Sequence, residues 1–113
     1  MKEIKAIVQP WMAQHVIDAL KAMPDVPGVT VSEVKGFGKD RAENAEDKVV
    51  ESSIGYAKKT KLEIVVPDHM LEPVLAVICE KAHTGRIGDG KVFVYSVEDV
   101  VKIRTGQRGE AAI

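Results

Sequence analysis

The stretch Thr84-Gly85-Arg86-Ile87-Gly88-Asp89-Gly90-Lys91 contains three glycines, two cations and one carboxylate. Glycine tolerates a positive φ and lets backbone N–H groups gather around an anion, and a lysine supplies a point charge suited to phosphate. A helix-type apolar pattern precedes the stretch, and a strand pattern beginning at Val92 follows it. This order excludes a P-loop, which needs strand before helix and a Ser or Thr where Val92 stands. Two interpretations remain open: a phosphate-binding loop of another kind, or a glycine-rich turn without a ligand.

The composition is typical of one globular domain. The 113 residues are 45% hydrophobic and 29% charged, and the net charge of −1 gives no electrostatic case for nucleic acid or an anionic membrane. We find no signal-peptide pattern and no apolar run near the ~20 residues of a membrane span, and therefore expect a cytoplasmic protein without membrane insertion. Cys79 is the only cysteine, so no internal disulfide forms, and its apolar helical surroundings predict a small core residue. The three histidines lack ligand partners at helical spacing, so we predict no firm metal site.

The first part of the chain follows the pattern strand, helix, strand. Alternation over residues 2–9 predicts a strand with one buried face, and Pro10 can open the helix that follows. Apolar residues at helical spacing continue until Pro24 ends that helix. A second strand begins at Val29, and a slip in its alternation at Glu33-Val34 indicates a bulge.

A segment of unusual composition, residues 38–57, separates the second strand from the third. Its first half is almost entirely charged or small. Compact domains rarely carry a loop of about 20 residues without structure of its own unless the loop is functional. A solvated insertion without a role, or a short charged helix over residues 41–50, are the alternatives.

The third strand and second helix follow this segment. Leu62, Ile64 and Val66 alternate with polar or smaller neighbours and form one face of the strand. Asp68 is a candidate N-cap for the helix, and Pro73 must lie in its first turn to avoid a kink.

The last part of the chain contains a strand over residues 92–96 and a second extended piece over residues 100–104. Alternation in the latter places Lys102 and Arg104 on one side. Two cations facing one way beside the glycine loop suit a polyphosphate, but they are equally typical of the solvated face of an edge strand.

The element order is therefore β-α-β-β-α-β, which predicts an α+β, ferredoxin-like fold: an antiparallel sheet with two helices on one face. The other face is bare, and apolar residues there, such as Ile7 and Val65, need cover. We expect neighbouring subunits of a closed homo-oligomer to cover it.

Five segments resemble the nitrogen regulatory P-II signal-transduction family. They are Val34-Lys35-Gly36-Phe37-Gly38, Lys61-Leu62-Glu63-Ile64-Val65-Val66, Thr84 to Lys91, Ile103-Arg104-Thr105-Gly106 and Ala111-Ala112-Ile113. The resemblance extends over nearly the whole chain. It implies one P-II domain over residues 1–113, with a long T-loop at about 38–57, a glycine-rich B-loop at about 84–91 and a C-terminal loop at about 97–113.

The resemblance also implies a function without enzymatic activity. Members of the family are compact homotrimers with nucleotide sites in the clefts between subunits, where ATP and ADP compete. Their T-loop docks on a controlled enzyme, transporter or regulator of nitrogen metabolism.

The family's nucleotide-binding pattern matches this sequence at eleven positions. These are Ile7, Gly36, Gly38, Lys39, Val65, Gly88, Asp89, Gly90, Lys91, Lys102 and Arg104. Lys39 and Lys102 stand where the family has arginine. Lysine keeps the charge but loses the bidentate phosphate contact, so we expect the Lys39 change to weaken ATP binding relative to ADP binding.

The family's 2-oxoglutarate and modification positions differ more. Asp40 replaces the glutamine that binds Mg²⁺ and joins ATP to 2-oxoglutarate, and Lys59 matches the lysine that pairs with 2-oxoglutarate. Aspartate also binds Mg²⁺, but it adds negative charge beside two anionic ligands, so 2-oxoglutarate sensing is left open. Ser52 stands at the position of the tyrosine that many members offer for uridylylation.

Two other functions remain to be weighed. A P-II-like regulator of another transporter, for bicarbonate or metal, would not need 2-oxoglutarate. A slow nucleotide hydrolase would need a nucleophile and a base, and the sequence offers neither a nucleophile–base pair nor a carboxylate pair at the glycine loop. Asp89 alone in a glycine turn is more typical of an orienting group.

Overall fold

The computed structural model describes residues 1–38 and 56–113. Its elements are β1 (Lys2–Val8), α1 (Pro10–Ala22), β2 (Thr30–Gly36), β3 (Ala57–Val66), a 3₁₀ turn (Asp68–Met70), α2 (Leu71–Ala82), β4 (Gly90–Ser96) and a second 3₁₀ turn (Glu110–Ala112). The strands form one sheet in the order β2-β3-β1-β4, with every neighbouring pair antiparallel. The predicted ferredoxin-like α+β fold is confirmed.

The hydrophobic core lies between the sheet and the two helices. Alternate residues of β1 and β3 face it, and the pairing of Ile4 with Ile64 sets the register. Fully burying an aliphatic side chain of this size contributes about 1.5–3 kcal/mol. The core residues of the two central strands are Ile4, Ala6, Val8, Leu62, Ile64 and Val66, and the helices add Ala13, Val16, Leu20, Val74, Ile78 and Ala82.

Proline residues set the bounds of both helices. Pro10 is the first residue of α1, where its missing N–H costs nothing because no intrahelical acceptor exists for it. Pro24 follows the end of that helix, which closes with the N–H of Met23 bonded to the carbonyl oxygen of Leu20 at 3.1 Å. Pro73 is the third residue of α2, as predicted. Within the described residues, no helix has the length and apolar character needed to cross a membrane.

Two predictions around α2 are wrong. Asp68 does not cap the helix, because a 3₁₀ turn intervenes and α2 begins only at Leu71. The Asp68 carboxylate instead accepts a hydrogen bond from the Met1 ammonium at 2.8 Å. Cys79 is exposed rather than in the core, because it lies one residue, or about 100° of helical turn, beyond the buried Ile78.

The bulge predicted at Glu33-Val34 is also wrong. β2 pairs with β3 without interruption from Thr30 opposite Glu63 to Gly36 opposite Ala57. Because β2 is an edge strand with both faces at least partly exposed, a slip in its alternation carries little information about pairing.

The sheet face opposite the helices remains uncovered within one protomer. Ile7 and Val65 are partly buried there, and Phe93 and Tyr95 are each 44% exposed. The Lys5 ammonium lies between these two rings, 5.4 Å from the Phe93 centroid and 5.0 Å from the Tyr95 centroid. Hydrogen bonding to Tyr95 raises the pKa of Lys5. This surface, called here the open face, has the aromatic character of an interface.

The tail after β4 folds differently from the prediction. The N–H of Lys102 bonds to the carbonyl oxygen of Gln107 at 2.8 Å, and the N–H of Gly106 bonds back to Lys102 at 2.7 Å. Gly106 permits this turn with a φ of +74°. The predicted extended piece is therefore wrong beyond Lys102, where the chain turns. Strand alternation no longer supports the same-side placement of Lys102 and Arg104, which stays a prediction.

Candidate functional site

The glycine loop between α2 and β4 is closed by the side chain of Asp89. Its carboxylate accepts hydrogen bonds from the N–H of Thr84 at 2.8 Å, from the N–H of Gly85 at 3.0 Å and from the Thr84 hydroxyl. His83 lies beside it, with Nδ1 3.6 Å from Asp89 Oδ2. The aspartate therefore joins the two ends of the loop.

The charge state of Asp89 follows from these contacts. Burial alone would raise the pKa of the carboxyl. The hydrogen bonds from Thr84 and Gly85 and the charge of His83 outweigh that effect, and the pKa of Asp89 is lowered. A carboxylate that is ionised and occupied by loop donors is suited to holding the loop's shape. These contacts favour the orienting role over that of a general base.

Gly88 and Gly90 give the loop its backbone path. Their φ angles are +103° and +101°, values that residues with a Cβ rarely adopt. At Gly90 a Cβ would lie 1.7 Å from the carbonyl oxygen of Ile7. Gly90 is thus required by the packing of β4 on β1, whether or not a ligand binds.

Several predicted site residues gather at this end of the sheet. Lys59 of β3 donates from Nζ to the carbonyl oxygen of Gly88 at 3.0 Å. Lys91 is exposed at the start of β4 and pairs with Ile7. Gly36 ends β2 at the same end of the sheet, where β2 and β3 lead into residues 39–55.

The base of that segment is marked by an aromatic pair. Phe37 and Tyr56 stack with their ring centroids 5.7 Å apart and an interplanar angle of 7°. Tyr56 directly precedes β3, as the sequence indicated. Gly38 lies at the edge of the described residues, whereas the predicted site residues Lys39 and Asp40, together with Ser52, lie outside them.

Val65 lies at the opposite end of the sheet, beside a groove of about 440 Å³. Val65 pairs with Glu3, which is four residues, or about 13 Å along the strand, from Ile7. Gly28, Thr30 and Glu63 also line the groove, and sequence analysis did not select them. The sequence carries no signal for them, because Thr30 and Glu63 come together only through the pairing of β2 with β3. The full lining is Glu3, Pro27, Gly28, Thr30, Glu63, Val65, Val100, Ala112 and Ile113.

The cationic tail lies at the groove end of the sheet. β4 begins at the glycine loop with Gly90 and ends six residues later at Ser96, a length of about 20 Å. The tail continues from that far end, and Val100 lines the groove there. The tail that carries Lys102 and Arg104 thus begins at the end of the sheet opposite the glycine loop of the same protomer. That both cations lie beside a glycine loop stays a prediction. For one chain, we call Ile7, Gly36, Lys59 and Gly88–Lys91 the loop half-site, and we call Val65 together with the tail cations Lys102 and Arg104 the groove half-site.

Comparison with known proteins identifies the family. The family model described as nitrogen regulatory protein P-II matches residues 1–107. The chain belongs to the nitrogen regulatory P-II family. Nitrogen regulatory protein P-II of Azospirillum brasilense is 42% identical over 113 residues, covering both chains completely. Nitrogen regulatory protein P-II 1 of Escherichia coli K12 is also 42% identical over the full length of both chains.

A solved P-II structure has the same fold. Arabidopsis thaliana PII bound to citrate superposes with a TM-score of 0.79 and 44% sequence identity, over 99% of this chain and 91% of that one. P-II membership makes the chain a signal-transduction protein of a regulatory family. The glycine loop and the tail are the segments predicted to be the B-loop and the C-terminal loop. Within the described residues, no group of three His, Cys, Asp or Glu side chains could hold a metal ion.

Proposed function

We propose that this P-II protein binds ATP and ADP in the clefts between the subunits of a homotrimer. Through its T-loop, residues 38–57, it controls a target enzyme or transporter of nitrogen metabolism. The observation that supports the proposal is that the glycine loop lies at one end of the sheet, whereas the tail that carries Lys102 and Arg104 leaves the sheet at the other end. A cyclic trimer joins unlike surfaces of neighbouring subunits, so the loop half-site of one protomer can face the groove half-site of the next.

The loop half-site supplies phosphate-binding chemistry in this proposal. The positive-φ glycines Gly85, Gly88 and Gly90 give the loop a tight backbone path of the kind in which N–H groups gather around an anion. Lys91 stands exposed at its edge. Lys102 and Arg104 of the neighbouring subunit add cations from the opposite wall, where charge-assisted hydrogen bonds to phosphate oxygens are stronger than neutral ones.

In this proposal, the groove half-site binds the base of the nucleotide. Val65 offers an apolar wall, and Thr30 and Glu63 beside it offer a hydroxyl and a carboxylate. An apolar cleft with a few fixed polar groups is the usual form of a small-ligand site. Ile7, Gly36 and Gly38 approach from the other subunit and complete the cleft.

The open face supports the trimer. Phe93 and Tyr95 leave an aromatic surface exposed, and monomeric proteins rarely leave large apolar patches uncovered. Burial of this face against two neighbours covers the partly buried Ile7 and Val65 as well.

The proposal also covers Mg²⁺ and carboxylate ligands, and this part of it rests on the sequence. Asp40 is suited to Mg²⁺ bound with ATP, and it is the residue on which 2-oxoglutarate binding depends. The Arabidopsis relative was solved with citrate, so a P-II protein accepts a polycarboxylate. If Asp40 excludes 2-oxoglutarate, the alternative function is regulation of a transporter for bicarbonate or metal. Gene neighbourhood distinguishes the two functions.

In this proposal the protein acts in the cytoplasm and without catalysis. Phosphate release in many-fold excess over protein would therefore contradict the proposal.

Calorimetry with a lysine variant tests the nucleotide site. Lys91→Ala removes one charge-assisted contact, for which we expect a loss of about 1.5–3 kcal/mol in binding free energy for both ATP and ADP. Lys81→Ala is the matched control, since Lys81 is an exposed lysine in the last turn of α2. Unchanged affinity in Lys91→Ala, with the control also unchanged, would refute the assignment.

Hydrogen exchange tests the T-loop as the output. Lys39 and Asp40 begin the loop at the proposed phosphate site, so ADP and Mg-ATP should bias it differently. Exchange of residues 39–57 is measured with ADP, with Mg-ATP, and with Mg-ATP plus 2-oxoglutarate. Identical protection in all three conditions would contradict nucleotide sensing, and a further change with 2-oxoglutarate would establish that this ligand is sensed.

A further inference from the structure

The tail hairpin is closed at its base by one carboxylate. Asp99 Oδ1 accepts hydrogen bonds from the N–H of Val100 at 2.8 Å and from the N–H of Gly109 at 3.1 Å. Asp99 Oδ2 accepts from Arg108, with Nε at 2.7 Å and Nη2 as the second donor. A single side chain on the outgoing strand thus holds two consecutive residues of the returning strand.

Within the part of the chain that the structure describes, the other hydrogen bonds of this hairpin are internal to it. Among them are the bonds from the N–H of Lys102 to Gln107 at 2.8 Å and from the N–H of Gly106 to Lys102 at 2.7 Å. Val101 and Arg108 form an isolated bridge, and the N–H of Gly109 also bonds to the carbonyl oxygen of Val100 at 3.0 Å. At the tip, Ile103 is 100% exposed, so that side chain does not anchor the tip to the sheet. The direction of the tip therefore depends on the base of the hairpin.

We propose that Asp99 and Arg108 form a positioning clamp that holds Lys102 and Arg104 ready for the phosphates of a nucleotide bound in the cleft. The inference rests on the proposed function, because it needs these two cations to face an anionic ligand. The clamp residues do not touch the ligand, and they act by keeping the hairpin closed before the ligand arrives.

The geometry decides whether such a clamp has an effect. The side chains of Arg108 and Asp99 are 70% and 35% exposed, and an exposed ion pair alone contributes little. Here two nitrogens of Arg108 donate to Oδ2 of Asp99 and two backbone N–H groups donate to its Oδ1, so loss of the carboxylate removes several bonds together. The hydrogen bond from Arg108 lowers the pKa of Asp99, which keeps the acceptor ionised at neutral pH. If the hairpin is open for part of the time, the apparent affinity equals the affinity of the closed form multiplied by the fraction of protein that is closed.

The direction in which Asp99→Asn changes the nucleotide affinity distinguishes a positioning role from a simple effect of charge. Asp99→Asn and the neighbouring Glu98→Gln each remove one negative charge from the same segment. Charge alone predicts that both variants bind an anionic nucleotide more tightly. The clamp predicts the opposite sign for Asp99→Asn, about three- to tenfold weaker binding, and no weakening for the exposed control Glu98→Gln.

Calorimetric titration with Mg-ATP is performed on the wild-type trimer, Asp99→Asn, Arg108→Lys and Glu98→Gln, at low and high salt. Arg108→Lys keeps the positive charge but loses the planar guanidinium with its two donor nitrogens, so this variant should bind Mg-ATP more weakly as well. With fewer cation–phosphate contacts, the affinity of Asp99→Asn should depend less steeply on salt, a change that general loosening of the fold would not produce. Hydrogen exchange of the Lys102 and Gly109 amides in ligand-free protein should become faster in both clamp variants and not in the control.

Each result has one meaning. Wild-type affinity in trimeric Asp99→Asn and Arg108→Lys, while wild-type protein binds ATP, would overturn the clamp and leave the proposed function intact. No ATP binding by wild-type protein would overturn the proposed function, and the clamp with it. If Asp99→Asn fails to assemble, Arg108→Lys decides alone, because it leaves the Asp99 contacts to Val100 and Gly109 in place.

Discussion

Substituting Gly90 by alanine should damage the fold through one backbone contact. The φ of +101° lies well outside the left-handed well near +57°, and holding a residue with a Cβ in such a region costs about 1–3 kcal/mol. The new Cβ would also lie 1.7 Å from the carbonyl oxygen of Ile7, a backbone atom of the central strand β1. Relieving that overlap requires β1 and β4 to move apart, and overpacking of this kind costs about 1–3 kcal/mol more. The free energy of unfolding should therefore fall by about 2–6 kcal/mol.

Gly106→Ala is the matched control. Gly106 has a φ of +74°, and a Cβ there would meet nothing within 4 Å. Only the backbone strain remains, so the expected loss is about 1–2 kcal/mol. Urea unfolding followed by circular dichroism is measured on both variants at one protein concentration, because stability of an oligomer depends on concentration. Equal losses in the two variants would refute the contact between Gly90 and Ile7 as the cause.

Three further predictions concern other parts of the molecule. Because the pKa of Asp89 is lowered in the folded state, its stabilising effect is fully present above the ordinary carboxyl value of about 3.9 and is lost as pH falls below it. The urea midpoint of wild-type protein should thus exceed that of Asp89→Asn at pH 7, and the two should converge as the pH falls below that value; a constant difference would contradict this. Lys5→Glu places a carboxylate opposite Glu63 on the open face and should weaken the proposed trimer in light scattering, whereas Lys21→Glu on α1 should not. Equal behaviour of the two variants would count against that face as the interface. A uridylyltransferase with labelled UTP should leave the protein unlabelled, since Ser52 replaces the acceptor tyrosine; label on residues 38–57 would contradict this.

The regular elements were predictable because their sequences carry strong periodic signals. In β1, Ile4, Ala6 and Val8 alternate with exposed or partly exposed residues, and this face is the one the helices bury. Pro10 and Pro73 restrict where a helix begins, because proline is tolerated only in a first turn. These signals are local, and they were enough to give the order β-α-β-β-α-β.

The failures occurred where several local arrangements fit the same residues. Alternation could not distinguish an extended tail from a hairpin, because Gly106 permits a turn that the preceding residues do not require. Asp68 has the composition of an N-cap, but the 3₁₀ turn before α2 gives its carboxylate another partner. The groove residues Gly28 and Thr30 could not be selected at all, because their proximity to Val65 arises only from the pairing of β2 with β3.

The most direct test of the account mixes two variants, each of which has lost one half of the proposed nucleotide site. Lys91→Ala damages only the loop half-site, and Arg104→Ala damages only the groove half-site. Each variant alone should bind ATP weakly, but if clefts form between subunits, about a quarter of the clefts in randomly mixed trimers regain two intact halves. Calorimetry on co-refolded equimolar protein should therefore detect wild-type affinity at about that stoichiometry per cleft. If mixing restores no high-affinity sites although mixed trimers have formed, the nucleotide site does not lie between subunits, and the central claim is contradicted.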